Sequence, residues 1–288
     1  MFLLMINPES NLESIAEILE NLLFPILVIE LVWLWRRGRL DRNRVKEMFA
    51  NASSLLIVIP AGVLGFVLWL QLFEAIHGWL GYSIRTTWAS AIVCVILADL
   101  IYYLEHRFEH EHRLPWDLYH SVHHSSESYD QTTGLRLSGF DALLTLGFLL
   151  PLVFLGFSPT LILVAAAVVI GYQTWIHTEV VKRTPRWFEA VFNTPSHHRA
   201  HHGADDIYLD KNYGGILIIW DRLFGTFQSE VRTPNYGLTT QIESSNPVDI
   251  QFSEIRKLVA DLRTDTSWRT RLRRLWNRPG WQPDSVVV

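Results

Sequence analysis

Twelve histidines stand in this chain of 288 residues, and eleven of them fall between His106 and His202. Their spacing is what could do chemistry. His106 and His110 are four apart, His120, His123 and His124 follow i, i+3, i+4, and His198, His201 and His202 repeat that pattern. Residues three and four apart share one face of a helix. The spacing therefore predicts that each group aims its imidazoles at one point, the logic of a helical His-x-x-x-His metal site. Imidazole suits zinc, copper, iron and nickel, so ligand type alone does not choose the metal. Eight ligands exceed the roughly four to six that one ion takes, which makes two ions the better count.

The neighbouring residues refine this set. Glu105, Glu109, Glu111 and Glu127 lie close in sequence but do not make the Glu-x-x-His pattern of carboxylate di-iron bundles. Glu105 and Glu109 read as surface charge or as support for ligands. A ligating histidine commonly gives its second N–H to a carboxylate or carbonyl. Asp99, two helical turns before His106, is a candidate for that role, and an acid inside an apolar run is a functional residue by default. A buried hydrogen bond to a neighbouring helix is its other reading. His177 ends an apolar run and is a candidate ninth ligand. His197 adjoins the third group one position off its pattern, as ligand or as support. His112 falls off the ligand face, and His77 is expected across the bilayer from the rest.

The elements that must position these residues are apolar. The chain is 49% hydrophobic with 12 Trp and 15 Phe. Asn21–Trp35 is apolar apart from Glu30, and six basic residues follow between Arg36 and Lys46, which marks a cytoplasmic loop. Met48–Phe73 carries no charge and is the clearest span, with Pro60 inside it. Thr86–Leu104 returns, interrupted by Asp99. Residues 142–178 are again uncharged, broken by Gly156, Ser158 and Pro159; at ~1.5 Å per residue the halves reach ~21 and ~28 Å against a ~30 Å hydrocarbon core. Two tilted spans or a re-entrant hairpin both return the chain to the side it left, so all three histidine groups are expected on one face. The single cysteine, Cys94, rules out an intramolecular disulfide and a Cys-based metal site. The acidic N-terminus is unlike a cleavable signal, and the net charge of −4 gives no reason to expect nucleic acid.

The expected fold is all-α, a polytopic membrane protein with four to five membrane-embedded helices and a cytoplasmic helical cap that carries the dimetal site. Residues 1–47 form an N-terminal helix and basic loop, 48–230 the membrane and histidine domain, and 231–288 a basic amphipathic tail. In that tail Leu272, Leu275 and Trp276 stand among Arg263, Arg269, Arg271, Arg273 and Arg274, a composition suited to an anionic membrane surface.

The order H-x-x-x-H, H-x-x-H-H, H-x-x-H-H resembles the fatty acid hydroxylase and sterol desaturase superfamily. The stretches His106–Glu111, His123–Asp130, Pro195–Gly203 and Asp210–Phe227 are similar to its alkylglycerol monooxygenase branch. The resemblance implies a membrane-bound di-iron oxygenase that hydroxylates a fatty acyl, alkyl or sterol C–H with O₂, or desaturates it on the same site. It implies two Fe ions and an external electron donor, either tetrahydrobiopterin or a ferredoxin or cytochrome b5-type partner. In that branch a glutamate after the first box is implicated with the pterin, and Glu111 matches it. Asp130 stands where the branch would have Asn. The partners implied are a lipid substrate and the membrane: the cell membrane in a bacterium, the endoplasmic reticulum in a eukaryote. Trp116 and Phe108 are expected to line the lipid slot or to anchor the chain at the membrane interface. A non-catalytic metal-binding or metal-transporting membrane protein is the alternative; it would place its ligands near mid-bilayer.

Overall fold

The chain enters as two short helices end to end. In the computed structural model, which describes residues 7–265 and 267–283, Asn7 caps α1 (Pro8–Asn21) by accepting from the Glu9 amide. Helix α2 (Leu23–Arg36) follows directly. The outer ends of the first and last expected regions, residues 1–6 and 284–288, lie outside the described residues, as does residue 266.

Asp41 caps α3 (Arg42–Ser53), accepting from the Arg44 amide at 2.8 Å, and α4 (Leu55–Leu80) continues almost without a break. The uncharged run Met48–Phe73 covers the end of α3 and most of α4. Met48, Ala50 and Asn51 belong to α3 and are buried; Asn51 donates to Thr132 at 2.9 Å and Ala50 packs with Val122 and Ile250. Helix α4 carries the span itself, with Pro60 inside it and Leu56, Val63, Leu64 and Leu68 exposed. A Thr87–Ser90 capping box starts α5 (Trp88–Glu111). The stretch Arg42–Leu80 and α5 are the two helices among the described residues that are long and apolar enough to cross a membrane; Gly139–Phe154 and Pro159–Trp175 are shorter apolar helices.

Those two shorter helices form a hairpin broken where Gly156 takes φ +93° and Ser158 caps α6 (Pro159–Tyr172). The first arm mixes α and 3-10 turns, which leaves carbonyls without helical partners. Trp69 of α4 donates its indole N–H to one of them, Leu143 O, at 2.7 Å, the kind of repair that broken helices need where water is absent. A Cβ on Gly65 would lie 2.6 Å from Ala142 O, so α4 meets this arm backbone to backbone. Helix α6 packs on α1 and α5 through Leu12, Ala16, Ala91, Cys94, Leu161, Ile162 and Ala165. Glu9 accepts from Thr86 at 2.9 Å and Ser158 at 2.8 Å, which ties α1, the start of α5 and the hairpin tip together at the end away from the histidines.

Helix α7 (Pro195–His201) carries the third box; α8 (Pro247–Thr264) and α9 (Trp268–Trp276) follow. Among the described residues there are no strands, only isolated bridges such as Phe192–Leu217, in line with the all-α expectation. Beyond residue 230, α8 packs back onto the earlier part of the chain. Ile250 packs with Ala50 and Val122, and Gln251 donates to Leu137 O at 2.8 Å. Arg274 turns inward to Asp265 in a two-pronged pair at 2.7 and 2.8 Å, while α9 exposes Trp268, Leu272 and Trp276.

Candidate metal centre

Nine histidines meet where α5, the turn after it, the hairpin end and α7 converge. They sort into two groups whose nitrogens each lie within 4.8 Å of one another: His106, His110, His120, His124 and His201, and then His123, His177, His198 and His202. All nine are buried. The groups abut, with His124 and His202 stacked at 4.4 Å between ring centroids.

The boxes do not each aim at one point, as their spacing suggested; each i, i+3, i+4 box feeds both groups. Successive helical residues turn by about 100°, so positions i and i+4 point nearly together while i+3 and i+4 diverge by about 100°. His120 and His124 accordingly face the first group and His123 the second; His198 and His202 face the second and His201 the first. A π-helical turn at Trp116–His120 sets the phase of the second box. His177, the candidate ninth ligand, completes the second group.

The outer nitrogens of four of these rings are held by the protein. Nδ1 of His106 meets Tyr213 O at 2.9 Å, that of His201 meets Lys211 O at 2.8 Å, and that of His120 meets the Glu109 carboxylate at 2.8 Å. Nδ1 of His123 meets Arg136 O at 3.3 Å. Each of these acceptors fixes the ring proton on Nδ1 and leaves Nε2 with a bare lone pair facing inward. In the first group all five Nε2 atoms are buried without a hydrogen-bond partner. In the second they crowd together, His123–His177 at 3.3 Å, His177–His198 at 2.9 Å and His198–His202 at 3.2 Å. Nitrogens sharing one ion at ~2.1 Å stand about 3.0–3.4 Å apart. Lone pairs packed this closely repel unless a cation lies among them, so the residues fit two metal ions. Burial pushes His120, His123 and His201 down to about 3 and holds His124, His198 and His202 well below the ordinary histidine range, so the rings are neutral, the metal-binding form.

Two carbonyls of this frame come from a strained loop. Asp210 and Asn212 both take φ of +58°, which Asn and Asp tolerate better than other side chains. Asn212 is fully buried; its amide donates to His197 O at 3.0 Å and Gln228 O at 2.6 Å and accepts from the Gln228 amide. The left-handed turns present Lys211 O and Tyr213 O to the two histidines. Asp221 then receives the Tyr213 and Gly214 amides, each at 2.8 Å. The Asn and Asp beside the paired glycines Gly214 and Gly215 are the sequence signal for a left-handed loop here.

Asp99 does not support a histidine. It accepts from the Ile216 amide at 2.6 Å, the Leu217 amide at 3.1 Å and the Trp220 indole at 2.8 Å, so it latches this loop to α5. A Cβ on Gly215 would come 2.9 Å from the Asp99 carboxylate, which explains the glycine under the latch. His197 belongs to neither group; its ring lies edge-on to Phe227 with Nδ1 3.3 Å from Thr194, because it points about 100° away from His198. His112 is off the site as expected, against Trp276. Glu111 lies apart from the histidines, paired with Arg107 at 3.2 Å and Arg278 at 3.3 Å; Arg278 also reaches Asp210, which stands 3.8 Å from Nδ1 of His110. Asp130, buried, caps the turn Gln131–Leu135.

A cavity of ≈ 380 Å³ opens onto His120, His123 and His177. Its walls are Leu23, Ala98, Leu146, Leu149, Val169 and Ile170, with Glu105, Glu109 and Asp141 at the histidine end. Trp116 and Phe108, expected there, do not line it. Trp116 packs on His110 and His124, and Phe108 packs on Phe148 and Trp276.

Residues 91–226 match the fatty acid hydroxylase family model. Human alkylglycerol monooxygenase is 34% identical over 275 residues, 90% of this chain and 58% of the human protein. The zebrafish (Danio rerio) protein of that name is 33% identical over 98% of this chain and 65% of its own length. An ornithine lipid hydroxylase of Rhizobium tropici is 32% identical over 53% of this chain and 46% of its own. The chain thus spans less than two thirds of the relatives it matches. No solved structure matches it.

Proposed function

For a chain that carries a fatty acid hydroxylase domain and has alkylglycerol monooxygenases among its relatives, we propose a membrane-bound di-iron oxygenase that hydroxylates a lipid at a C–H bond. The carrying observation is the nine buried histidines, with inward nitrogens bare or crowded, at the end of an apolar cavity. His106, His110, His120, His124 and His201 hold one ion; His123, His177, His198 and His202 hold the other. Iron in these groups would supply O₂ activation and C–H oxidation. The protein orients the rings through Tyr213 O, Lys211 O, Arg136 O and Glu109, excludes water by burying all nine, and guides a lipid chain along Ala98, Leu149, Val169 and Ile170 to His120, His123 and His177.

The histidine end faces the cytoplasm, because the basic loop Arg36–Lys46 lies at that end: Arg39 pairs with Glu179, two residues after His177, at 2.6 Å. Residues 48–230 are the catalytic unit, with α4, α5 and the hairpin in the bilayer, and 231–288 cap it at the membrane surface. Electrons come from outside the chain, from a reduced pterin or a ferredoxin or cytochrome b5-type protein. Glu111, with Arg107 and Arg278, marks the side from which such a donor reaches the first histidine group. The membrane is the cell membrane in a bacterium and the endoplasmic reticulum in a eukaryote.

The reading is tested by incubating iron-loaded protein in nanodiscs with a cellular lipid extract, a reduced pterin or ferredoxin, and isotopically labelled O₂. The expected result is a lipid that gains one labelled oxygen. Loss of two hydrogens would instead identify a desaturase on the same residues. Iron-loaded protein that consumes no O₂ and alters no lipid with either donor would refute the proposal.

A further inference from the structure

Three arginines near the third histidine box have no acid to hold them. Arg183, Arg186 and Arg222, all exposed, line a second cavity of ≈ 330 Å³. It opens on the face of α7 that carries His197, turned away from both histidine groups, and shares no lining residue with the cavity at His120, His123 and His177. The acids nearby are engaged elsewhere. Glu230 closes on Arg199 at 2.7 Å, and Glu189, on the cavity wall, accepts from the Thr184 amide at 3.2 Å and the Ser196 hydroxyl at 2.8 Å. Neutral groups place the guanidiniums instead. Arg183 donates to Glu230 O, and Arg222 donates to Glu189 O at 3.1 Å and lies 3.7 Å over the Phe227 ring. None of the three forms an ion pair among the described residues, and the Arg186 guanidinium has no hydrogen bond there. A guanidinium offers five N–H donors in a planar fork that matches phosphate, so most of these donors remain for a ligand.

The elements that carry these arginines lie beside the apolar part of the membrane helices. Arg222 belongs to the short helix Ile219–Phe224 and Arg186 to the short helix Arg186–Glu189. Asp99 of α5 holds Trp220 at the start of the first, and Phe224 at its end stacks on Tyr103 of α5 at 5.3 Å between centroids. Asp99 and Tyr103 stand before the first histidine, inside the apolar run that ends at the exposed Leu104. The second short helix sets Phe188 edge-on to Trp175, at the end of the hairpin, at 6.3 Å. Next in sequence to Arg186 and Arg222, Trp187 and Leu223 are each 71% exposed, and Phe224 is exposed beyond them. Apolar side chains at this depth face acyl chains, while an arginine beside them extends its head to the phosphate layer.

On the membrane placement proposed above, we propose that Arg183, Arg186 and Arg222 hold the phosphate of an anionic phospholipid of the cytoplasmic leaflet. Its acyl chains lie along Trp187, Leu223 and Phe224. The phospholipid is a bound anchor and not the molecule oxidised, because its cavity is separate from the one that opens onto the histidines. A free phosphate offers the same head chemistry, but it would leave the apolar side chains around the arginines uncovered.

The test is lipid binding to the full-length protein in neutral detergent micelles, with bound lipid counted by native mass spectrometry. The probes are phosphatidylglycerol and phosphatidylcholine with the same dioleoyl chains, and inorganic phosphate. Phosphatidylglycerol should bind at least about tenfold tighter than phosphatidylcholine. Arg186→Gln alone, which breaks no hydrogen bond, should cut that preference about fivefold, the factor that one arginine near an anionic surface supplies. Arg183→Gln, Arg186→Gln and Arg222→Gln together should erase it, with metal content equal to the parent's as the check on folding. Equal binding of the two phospholipids would overturn the proposal, and inorganic phosphate binding as tightly as phosphatidylglycerol would replace it with a soluble-anion site. A preference that survives the triple variant but disappears with Arg269→Gln and Arg273→Gln would put the lipid on α9 instead. Ferredoxin binding that falls in the triple variant while the lipid preference stays would assign the arginines to a protein partner and also overturn it. Oxidation does not enter the readout. Loss of the phospholipid preference faults this site alone, and failure to oxidise any lipid faults the oxygenase reading alone. Release of the chain from membranes by alkaline carbonate would refute the membrane placement, and this site with it.

Discussion

His106, His120, His123 and His201 each give Nδ1 to a protein acceptor and Nε2 to the interior, and the sorting of the nine rings into two groups makes single substitutions informative. His198→Ala removes a bare nitrogen from the second group and is predicted to abolish oxidation and release the ion bound there. His197→Ala, one residue away, should keep metal and activity, because its ring packs on Phe227 outside both groups. Metal analysis of the two purified variants checks this pair, and equal losses would contradict the grouping. Glu109→Gln keeps the shape but weakens the acceptor on Nδ1 of His120. Partners of ligating histidines typically account for about 10–100-fold in metal affinity, the loss expected in a chelator competition. At this scale the sequence was partly legible. Histidine identity and spacing picked out eight of the nine rings, and the end of an apolar run pointed to His177. The division of each box between two groups was not, because i, i+3, i+4 was taken as one direction when its members fan across about 100°. Two readings stayed open in the sequence for His197 and Asp99, because sequence offset tells which face a residue is on, not what stands opposite: Phe227 in the first case and the Ile216 and Leu217 amides in the second.

The elements around the site act as latches, and their failures should be selective. Asp99 receives three donors from the Gly215–Trp220 segment. Asp99→Ala orphans them at about 1–3 kcal/mol per buried donor. The loop it frees carries Lys211 O and Tyr213 O, which orient His201 and His106 only. The variant is therefore predicted to lose metal from the five-histidine group before the four-histidine group, seen as a stepwise fall in bound metal during chelator titration; simultaneous loss would contradict the latch. A second clamp sits in the C-terminal helices. Arg274 holds the Asp265 carboxyl below its ordinary value of 3.8. A carboxylate with a lowered folded pKa stabilises fully above that ordinary value, and its contribution disappears as pH falls through the lowered one. Asp265→Asn should lower the melting temperature at neutral pH, and the gap to the parent protein should close in acid. A gap that stayed constant with pH would mean that the pair is not the cause. The sequence marked Asp99 as a buried acid but not its partners more than a hundred positions away, and the Asp265 clamp lies within a bend that no periodicity signals.

At the scale of the molecule, the proposed topology requires an even return of the chain. Uncharged length was enough to place α4, α5 and the hairpin, but not to tell lipid-facing from protein-facing segments. In the uncharged Met48–Asn51 stretch, Asn51 is buried against Ser126, Thr132 and Arg136 while Phe49 is exposed. Cys94 is fully buried, so the native chain is silent to aqueous thiol reagents. A cysteine in place of Arg37 is predicted to label from the cytoplasmic side only, and one in place of Ser83, in the loop between α4 and α5, from the opposite side only. Labelling of both from one side would overturn the topology that brings the boxes together.

The most direct test counts ions. Full-length protein loaded anaerobically with ferrous iron and freed of excess should hold two iron ions per chain, one for each histidine group. Removing His106 and His110 together should leave the ion of the four-histidine group, and removing His198 and His202 should leave that of the five-histidine group. A parent protein that binds a single ion, or pairs of substitutions that each strip all the iron, would contradict two separate histidine-built metal positions.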